Sequence, residues 1–200
     1  MNKKFYSSAI KKTPFEYLPS KKIAKVINSG LIYNEAFEKC VTNDELNIVS
    51  EQRRQEVFNV VYDRIISLDS YLLKEFINSS VSTSKFILVY AIANTDPLFM
   101  EFLLVAYREA LIGNKKYISI SDFDDFFNLI KEKNNVVARW GKTTITQLSG
   151  GYRNILVESG IAKRIKKNMY PCKAIVNPNV VKHIKENGGA AFLQAVLGEK

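Results

Sequence analysis

Cysteine and histidine are scarce in this sequence, which contains two cysteines and one histidine among 200 residues. Cys40 and Cys172 lie far apart, and neither has a Cys or His neighbour at the spacing of metal ligands. We therefore expect idle or buried thiols in a reducing compartment rather than a zinc site or a disulfide framework. His183 alone cannot supply a His-rich metal site or a Ser-His-Asp triad.

Motifs of enzymes and cofactor sites are also missing, since the sequence has no GxxxxGK[ST], no GxGxxG and no paired Cys motif. The acidic cluster of Asp122, Asp124 and Asp125 could hold Mg²⁺. However, aspartate is favoured in the first turn of a helix for capping and dipole reasons, and we favour that interpretation. The sequence thus predicts a protein that is not an enzyme and has no cofactor, no metal and no small-molecule substrate.

Long apolar runs without interruption are lacking as well. The longest candidate, residues 86–106, contains Asn94, Asp96, Pro97 and Glu101 near its middle, where charged groups oppose membrane insertion. It is better interpreted as two buried helices with a turn between them. The basic N-terminus runs into no apolar stretch typical of a signal peptide. We expect a soluble, cytoplasmic protein with no membrane partner.

Positive charge is what the sequence does have, with a formal net charge of +9 at pH 7. Residues 1–25 carry seven lysines and one acid, and residues 139–185 carry ten basic side chains and one acid. Residues 26–138 between them hold eleven basic and sixteen acidic side chains. This segregation makes the two basic ends candidate surfaces for a polyanion and the acidic middle a candidate scaffold.

Capping signals and apolar periodicity predict a mainly α-helical fold, a helical bundle with helix-turn-helix character. Gly30 ends the first predicted helix, Asn34, Ser50 and Asp69 cap the next three, and Asp96 with Pro97 starts a core helix. Predicted helices occupy about residues 19–29, 34–41, 50–68, 69–77, 82–94, 96–112, 121–130, 142–159, 179–186 and 190–197. The seventh opens on a capping box formed by Ser121 and Asp124.

The C-terminal part predicts a winged-helix-like module with a short β-hairpin. Helix 142–159 is followed by two extended segments within residues 162–176, which turn at 166–168, and then by another helix. Gly150 and Gly151 are a weak point in the first helix, costing about 1 kcal/mol each relative to alanine. The predicted organisation is a mobile basic arm (1–14), a helix-turn-helix-like region (15–68), a central helical core (69–134) and this module (135–200).

Two groups of residues are candidates for nucleic-acid binding. In the N-terminal group, basic residues in the first turn of the third helix oppose the helix dipole, and Gln and Arg there can contact adenine and guanine. In the C-terminal group, cations on a hairpin suit phosphate contact beside an amphipathic helix. The N-terminal candidates are Lys21, Lys22, Lys25, Ser50, Gln52, Arg53 and Arg54. The C-terminal candidates are Lys142, Thr143, Thr144, Gln147, Arg153, Lys163, Arg164, Lys166 and Lys167.

The order of segments over about residues 15–197 resembles the BrxA family, small components of the BREX bacteriophage-exclusion systems. The segments that carry the resemblance are Leu18-Pro19-Ser20, Ile23-Ala24, Ser29-Gly30, Ser50-Glu51-Gln52-Arg53-Arg54, Tyr107-Arg108-Glu109, Trp140, Thr143-Thr144, Ile155-Leu156-Val157-Glu158-Ser159-Gly160 and Pro178 with Val180-Val181. The resemblance implies an all-helical protein that binds double-stranded DNA and serves phage defence without enzymatic activity, with other BREX proteins as possible partners. Gly150-Gly151 departs from the expected pattern and puts the continuity of that helix in doubt.

Two alternatives to DNA binding stay open at this point. The basic surface could contact an acidic partner protein, which would make the chain an adaptor in the same defence complex. It could also bind RNA, as helical antitermination-type factors do. Few aromatic residues lie beside the basic clusters, which weakens a mode in which single-stranded bases stack on the protein.

Overall fold

Helices dominate the fold, as predicted, in a computed structural model that describes residues 6–113 and 115–198. Its N-terminal half is a bundle in which α1 packs on α3 and α4, and α5 packs on the same two helices. These elements are α1 (Tyr17–Asn28), α2 (Tyr33–Phe37) with a π-helical continuation (Glu38–Thr42), α3 (Glu51–Ile66), α4 (Ser70–Asn78) and α5 (Val81–Thr95).

Two of the predicted caps in this half are confirmed and one is wrong. Ser50 accepts a hydrogen bond from the amide of Arg53, and Asp69 accepts one from Leu72. Asn34 is not a cap, because α2 begins one residue earlier and Ile32 holds the N-cap position.

The centre of the core is α5, which is buried nearly all round. Asp96 then accepts a hydrogen bond from the amide of Phe99, and Pro97 is the first residue of the next helix, as predicted. This helix is α6 (Pro97–Phe102), continued by a π-helical segment (Leu103–Tyr107) and α7 (Arg108–Leu111). In the described part of the chain no single helix is long and apolar enough to cross a membrane; α5 and residues 97–111 reach that length only together, across a bend of 110°.

The C-terminal half combines helices with a small antiparallel sheet. Its elements are α8 (Ile120–Lys133), α9 (Asn135–Ala138), α10 (Lys142–Glu158), β1 (Ala162–Ile165), β2 (Asn168–Pro171), α11 (Pro178–Glu186) and α12 (Ala190–Leu197). The two strands pair with Ala162 opposite Pro171 and Ile165 opposite Asn168, which confirms the predicted hairpin. Ile118 exchanges two backbone hydrogen bonds with Met169 and so adds a third, one-residue strand beside β2.

The predicted capping box of α8 is displaced by two residues. Ser119, not Ser121, accepts a hydrogen bond from the amide of Asp122, whose carboxylate accepts one from the amide of Ser119. The physical reason is the bridge formed by Ile118, which holds the chain extended up to Ser119 and lets the helix start immediately afterwards.

Residues 6–14 pack against the helices, whereas the sequence predicts a mobile arm over residues 1–14. The side chains of Tyr6 and Ile10 are buried, and a 3₁₀ turn (Ala9–Lys11) lies on α10. A Cβ atom on Gly151 would lie 3.1 Å from the carbonyl oxygen of Ile10. Glycine at this position lets the N-terminal segment approach an α10 that is continuous, so the doubt about this helix is resolved. Residues 1–5 of the predicted arm lie outside the described residues.

Candidate nucleic-acid interface

Arg53, in the first turn of α3, directs its guanidinium into the protein. Its Nη2 donates to the carbonyl oxygen of Lys12 at 2.9 Å and to a carboxylate oxygen of Glu16 at 2.6 Å. Its Nη1 also contacts the Glu56 carboxylate at 3.4 Å. These contacts fasten the N-terminal segment to α3 and occupy donors that a nucleic acid would need.

Arg54 is committed to the protein still more completely, with 11% of its side chain exposed. Its Nε donates to the carbonyl oxygen of Val41 at 2.6 Å, and its Nη1 donates to those of Ile48 and Val49 at 2.6 and 3.2 Å. The carboxylate of Asp44 lies 3.5 Å from Nη1. The guanidinium thus donates to carbonyl groups in the irregular connection between α2 and α3. The backbone there does not form regular helical hydrogen bonds that would pair these groups.

Two of the three candidate lysines of α1 also bind other parts of the protein, and the third is exposed. Lys21 donates from Nζ to two carbonyl oxygens near the end of α4, at 2.6 and 2.7 Å, where a cation complements the helix dipole. Burial lowers the pKa of Lys21, and the nearby charge of Lys25 lowers it further. Lys22 donates to the carbonyl oxygen of Glu45 at 2.8 Å, whereas Lys25 is exposed.

The remaining candidates of the N-terminal group are polar. Ser50 uses its hydroxyl oxygen to cap α3, accepting from the amide of Arg53 at 3.3 Å. Gln52 is exposed beside it. The structure therefore gathers the N-terminal candidates around α1 and the start of α3, but most of their polar groups bind other parts of the chain.

The start of α10 is more open. Gly141 holds the N-cap position and has no side chain that could accept a hydrogen bond from the first amides of the helix. Lys142, Thr143 and Gln147 are exposed there, and Thr144 is half-buried. Uncapped amides and the helix dipole together favour an anion at this end of a 17-residue helix.

Arg153 connects α10 with the hairpin. Its Nε donates to the carbonyl oxygen of Ser149 at 3.2 Å, and its guanidinium carbon lies 5.9 Å from the ring centroid of Phe123 on α8. Burial lowers the pKa of Arg153, and the positive charge of Arg164 on β1 adds to the effect. Because α10 also packs against β1, the basic residues of helix and hairpin form one electropositive region.

The hairpin presents its cations to solvent. Lys163, Arg164, Lys166 and Lys167 are all exposed, and the hydrogen bond of the Arg164 Nε to the carbonyl oxygen of Lys166, at 3.1 Å, stays within the hairpin. Lys166 has a φ angle of +56°, a left-handed conformation that glycine or asparagine adopts with less strain. Two lysines therefore occupy a turn in which glycine is the usual residue at the first central position.

We call the exposed residues at the start of α10 and on the hairpin, together with Arg153, the helix–hairpin surface. Two exposed polar residues of α10, Thr146 and Asn154, extend this surface although they were not among the predicted candidates. Asn154 lies seven residues after Gln147, on the same face of the helix, and helical periodicity alone could have included it. In the whole stretch of residues 139–185 Glu158 is the one acidic residue.

Asp122 and His183, whose side chains are of types used in metal binding and acid–base chemistry, contact other parts of the protein. Asp122 completes the capping box of α8 and forms an ion pair with Lys115. His183 lies 2.7 Å from the carboxylate of Asp69 and its ring packs against Tyr71. Within residues 6–113 and 115–198, no group of three His, Cys, Asp or Glu side chains is arranged to hold a metal ion.

Comparison with known proteins places the chain in a family. The family model described as BrxA matches residues 4–188. A protein of Bacillus cereus (strain H3081.97) named "BREX protein BrxA" is 31% identical over 194 residues, which cover 97% of each chain. The crystal structure of an uncharacterized protein from Magnetospirillum magneticum has the same fold, with a TM-score of 0.84 and 16% identity over 97% of this chain and 99% of that one. The chain therefore belongs to the BrxA family, which confirms the resemblance carried by its sequence.

Proposed function

We propose that this BrxA protein is a non-enzymatic accessory component of a BREX phage-defence system that binds double-stranded DNA through its helix–hairpin surface. The observation that carries the proposal is the availability of cations. The hairpin directs four exposed cationic side chains to solvent, whereas Arg53 and Arg54 bind carbonyl and carboxylate groups of the protein. A polyanion can be neutralised only by cations that the fold leaves accessible.

The order of elements around the surface supports a winged-helix mode of binding. Helix 97–111, the bridge at Ile118, α8, the four-residue α9, α10 and then the β1–β2 hairpin follow each other in an order similar to that of winged helix-turn-helix proteins. In that arrangement α10 takes the position of the recognition helix, and the hairpin is the wing. In this mode α6, α7 and Ile118 belong to the module, so we propose that it begins near Pro97, whereas the sequence predicts a start at residue 135.

Within this mode, different residues have different roles. The lysines and arginine of the hairpin contact phosphates, which positions the duplex without reading its sequence. The uncapped amides at the start of α10 donate hydrogen bonds to a further phosphate. Gln147 and Asn154, on one exposed face of α10, supply amides of the kind that pair with the edge of adenine. We therefore expect modest sequence preference and a strong dependence of affinity on salt.

The test is a titration of labelled duplex DNA, followed by fluorescence anisotropy at several salt concentrations. Replacing Lys163, Arg164, Lys166 and Lys167 with alanine should weaken binding to all sequences alike. It should also reduce the slope of log K against log salt by up to about 3.6, since each phosphate contact contributes about 0.9. The matched control removes four exposed lysines elsewhere on the chain, Lys39, Lys74, Lys116 and Lys133.

The control carries the same loss of net charge, so it should retain most of the affinity and of the salt slope. Equal losses in both variants would mean that net charge, and not the helix–hairpin surface, holds the DNA. If the parent protein does not bind DNA near physiological salt, the proposal is wrong and the adaptor function is favoured. Tighter binding to RNA than to duplex DNA of the same sequence would instead favour the antitermination-like function.

A further inference from the structure

A concave site lies where the chain leaves β2. Helix α7, residues 172–177, α11 and α12 line a half-open pocket of about 840 Å³. Its walls are more apolar than polar and come from several elements, among them Leu111 of α7, Val181 of α11 and Val196 of α12. A volume of this order with mostly apolar walls is typical of sites that take a small organic molecule.

Two cations line this apolar pocket. Arg108 stands at the first position of α7, and Lys173 lies on the connection that follows the hairpin. No acidic residue lines the pocket within the described part of the chain. Among the described residues, the pocket therefore combines mainly apolar walls with two cations and no carboxylate.

The Nε of Arg108 is buried and has no hydrogen-bond acceptor among residues 6–113 and 115–198. Buried N–H groups are nearly always paired, and an exception requires an explanation. Arg53 and Arg54 donate to carbonyl oxygens of the chain, and so does Nη2 of Arg64, whereas Nη1 of Arg64 is also buried without a partner among the described residues. At Arg108 the acceptor is missing on the wall of a pocket, which points to a ligand that brings one.

We propose that this pocket binds a small organic anion with an apolar body, of the class of medium-chain carboxylates. The apolar part lies against the valine and leucine walls, and the carboxylate accepts hydrogen bonds from Arg108 and Lys173. Charge-assisted hydrogen bonds of this kind are the strong ones, and arginine suits a planar carboxylate. The described residues that line the pocket include two cations and several aliphatic side chains, and the role we propose for them is binding.

The experiment is a two-dimensional ¹H–¹⁵N NMR titration of the full chain with decanoate, and in parallel with decanol. Decanoate should shift the amide signals of residues around the pocket, such as Val181 and Gly198, in a saturable way. Decanol has the same apolar body without the charge and should bind about tenfold more weakly or worse, the loss expected when a charge-assisted hydrogen bond is not made.

Arg108→Gln and Lys173→Gln should each weaken decanoate binding about tenfold and leave decanol binding unchanged. Lys173 is exposed, so its substitution keeps the test valid even if the Arg108 variant does not fold. Lys182→Gln, on the neighbouring α11 but outside the pocket, is the matched control and should bind both ligands like the parent. The proposal is wrong if decanoate causes no saturable shifts, if decanol binds equally well, or if all three variants lose affinity alike.

Discussion

The start of α3 and the helix–hairpin surface are both rich in basic residues, yet the fold uses them in opposite ways. Arg53 and Arg54 direct their donors inward, to the N-terminal segment and to the connection before α3. Lys163 and Lys167 on the hairpin extend into solvent, and Arg164 binds only within its own turn. The first set holds irregular backbone in place, and the second remains available to a partner.

The difference shows that the density of charge along a sequence is not the same as the charge available for binding. An arginine has five N–H donors, and a nearby stretch of unpaired carbonyl groups can occupy most of them. The segment at residues 41–49 is such a stretch, because its π-helical and irregular backbone leaves carbonyl groups without helical partners. A two-residue hairpin turn offers few carbonyl groups, so its cations stay free.

The largest expected effect concerns Arg54. It tests the difference between the start of α3 and the helix–hairpin surface. Its replacement by alanine leaves the carbonyl oxygens of Val41 and Ile48 without their donor and removes a nearly buried charge. We expect a loss of about 2–4 kcal/mol in the free energy of unfolding, since unpaired buried acceptors cost about 1–3 kcal/mol each. Urea denaturation measures this loss. DNA affinity per folded molecule should not change.

Arg164→Ala is the counterpart on the hairpin. It should change the free energy of unfolding by less than about 0.5 kcal/mol, as exposed substitutions usually do, while DNA affinity falls. The opposite pattern, in which Arg54→Ala unfolds like the parent but loses DNA affinity, would place the interface at α3 instead.

A smaller effect tests whether the N-terminal segment, which contacts both α3 and α10, packs on α10. At Gly150 an added Cβ meets open space, whereas at Gly151 it would lie 3.1 Å from the carbonyl oxygen of Ile10. Gly150→Ala should therefore raise the free energy of unfolding by up to about 1 kcal/mol, the helix-propensity gain. Gly151→Ala should lower it by about 1 kcal/mol, because the backbone of the 3₁₀ turn must move.

Thermal or urea unfolding of the two neighbouring variants provides its own control, because both make the same chemical change one residue apart in one helix. Equal stabilisation by both substitutions would show that residues 8–12 do not pack on α10. In that case the N-terminal segment would be free, as the sequence predicts.

Local signals in the sequence located most elements of the fold. The caps at Ser50 and Asp69, the Asp96-Pro97 helix start and the hairpin turn at Lys166 are all visible in stretches of a few residues, and the structure has them there. Each depends on hydrogen bonds between residues close in sequence, so no knowledge of tertiary structure is needed to place them.

The missed features all depend on contacts between distant parts of the chain. Ser119 and Ser121 are each followed three residues later by aspartate, and only the bridge from Ile118 to Met169 decides which serine caps α8. Similarly, the close approach of Ile10 to α10 depends on the absence of a side chain at Gly151. Arg53 looked available for the same reason, since its partners at Lys12 and Glu16 lie about 40 positions away.

The smallest effect tests whether the strained backbone at Lys166, at the tip of the hairpin, is retained because the lysine supplies a positive charge. Lys166 has a φ angle of +56°, where glycine is at no steric disadvantage. Lys166→Gly should leave the free energy of unfolding unchanged or raise it by about 0.5 kcal/mol, after the entropy lost by glycine on folding is counted. It should nevertheless weaken DNA binding and lower the salt slope by about 0.9, the share of one phosphate contact.

Lys167→Gly is the matched control, because it removes the same charge from the adjacent position, where φ is not in the left-handed region. It should lower DNA affinity to a similar extent but also cost about 0.5–1 kcal/mol of stability, the usual penalty for glycine. Anisotropy titrations and urea denaturation of both variants separate the two quantities. If Lys166→Gly gains stability and keeps full DNA affinity, the lysine at the tip is not retained for phosphate contact, and binding must rely on α10 and the remaining three cations. If both variants lose affinity while only Lys167→Gly loses stability, the hairpin accepts a strained backbone at Lys166 in order to present a charge to DNA.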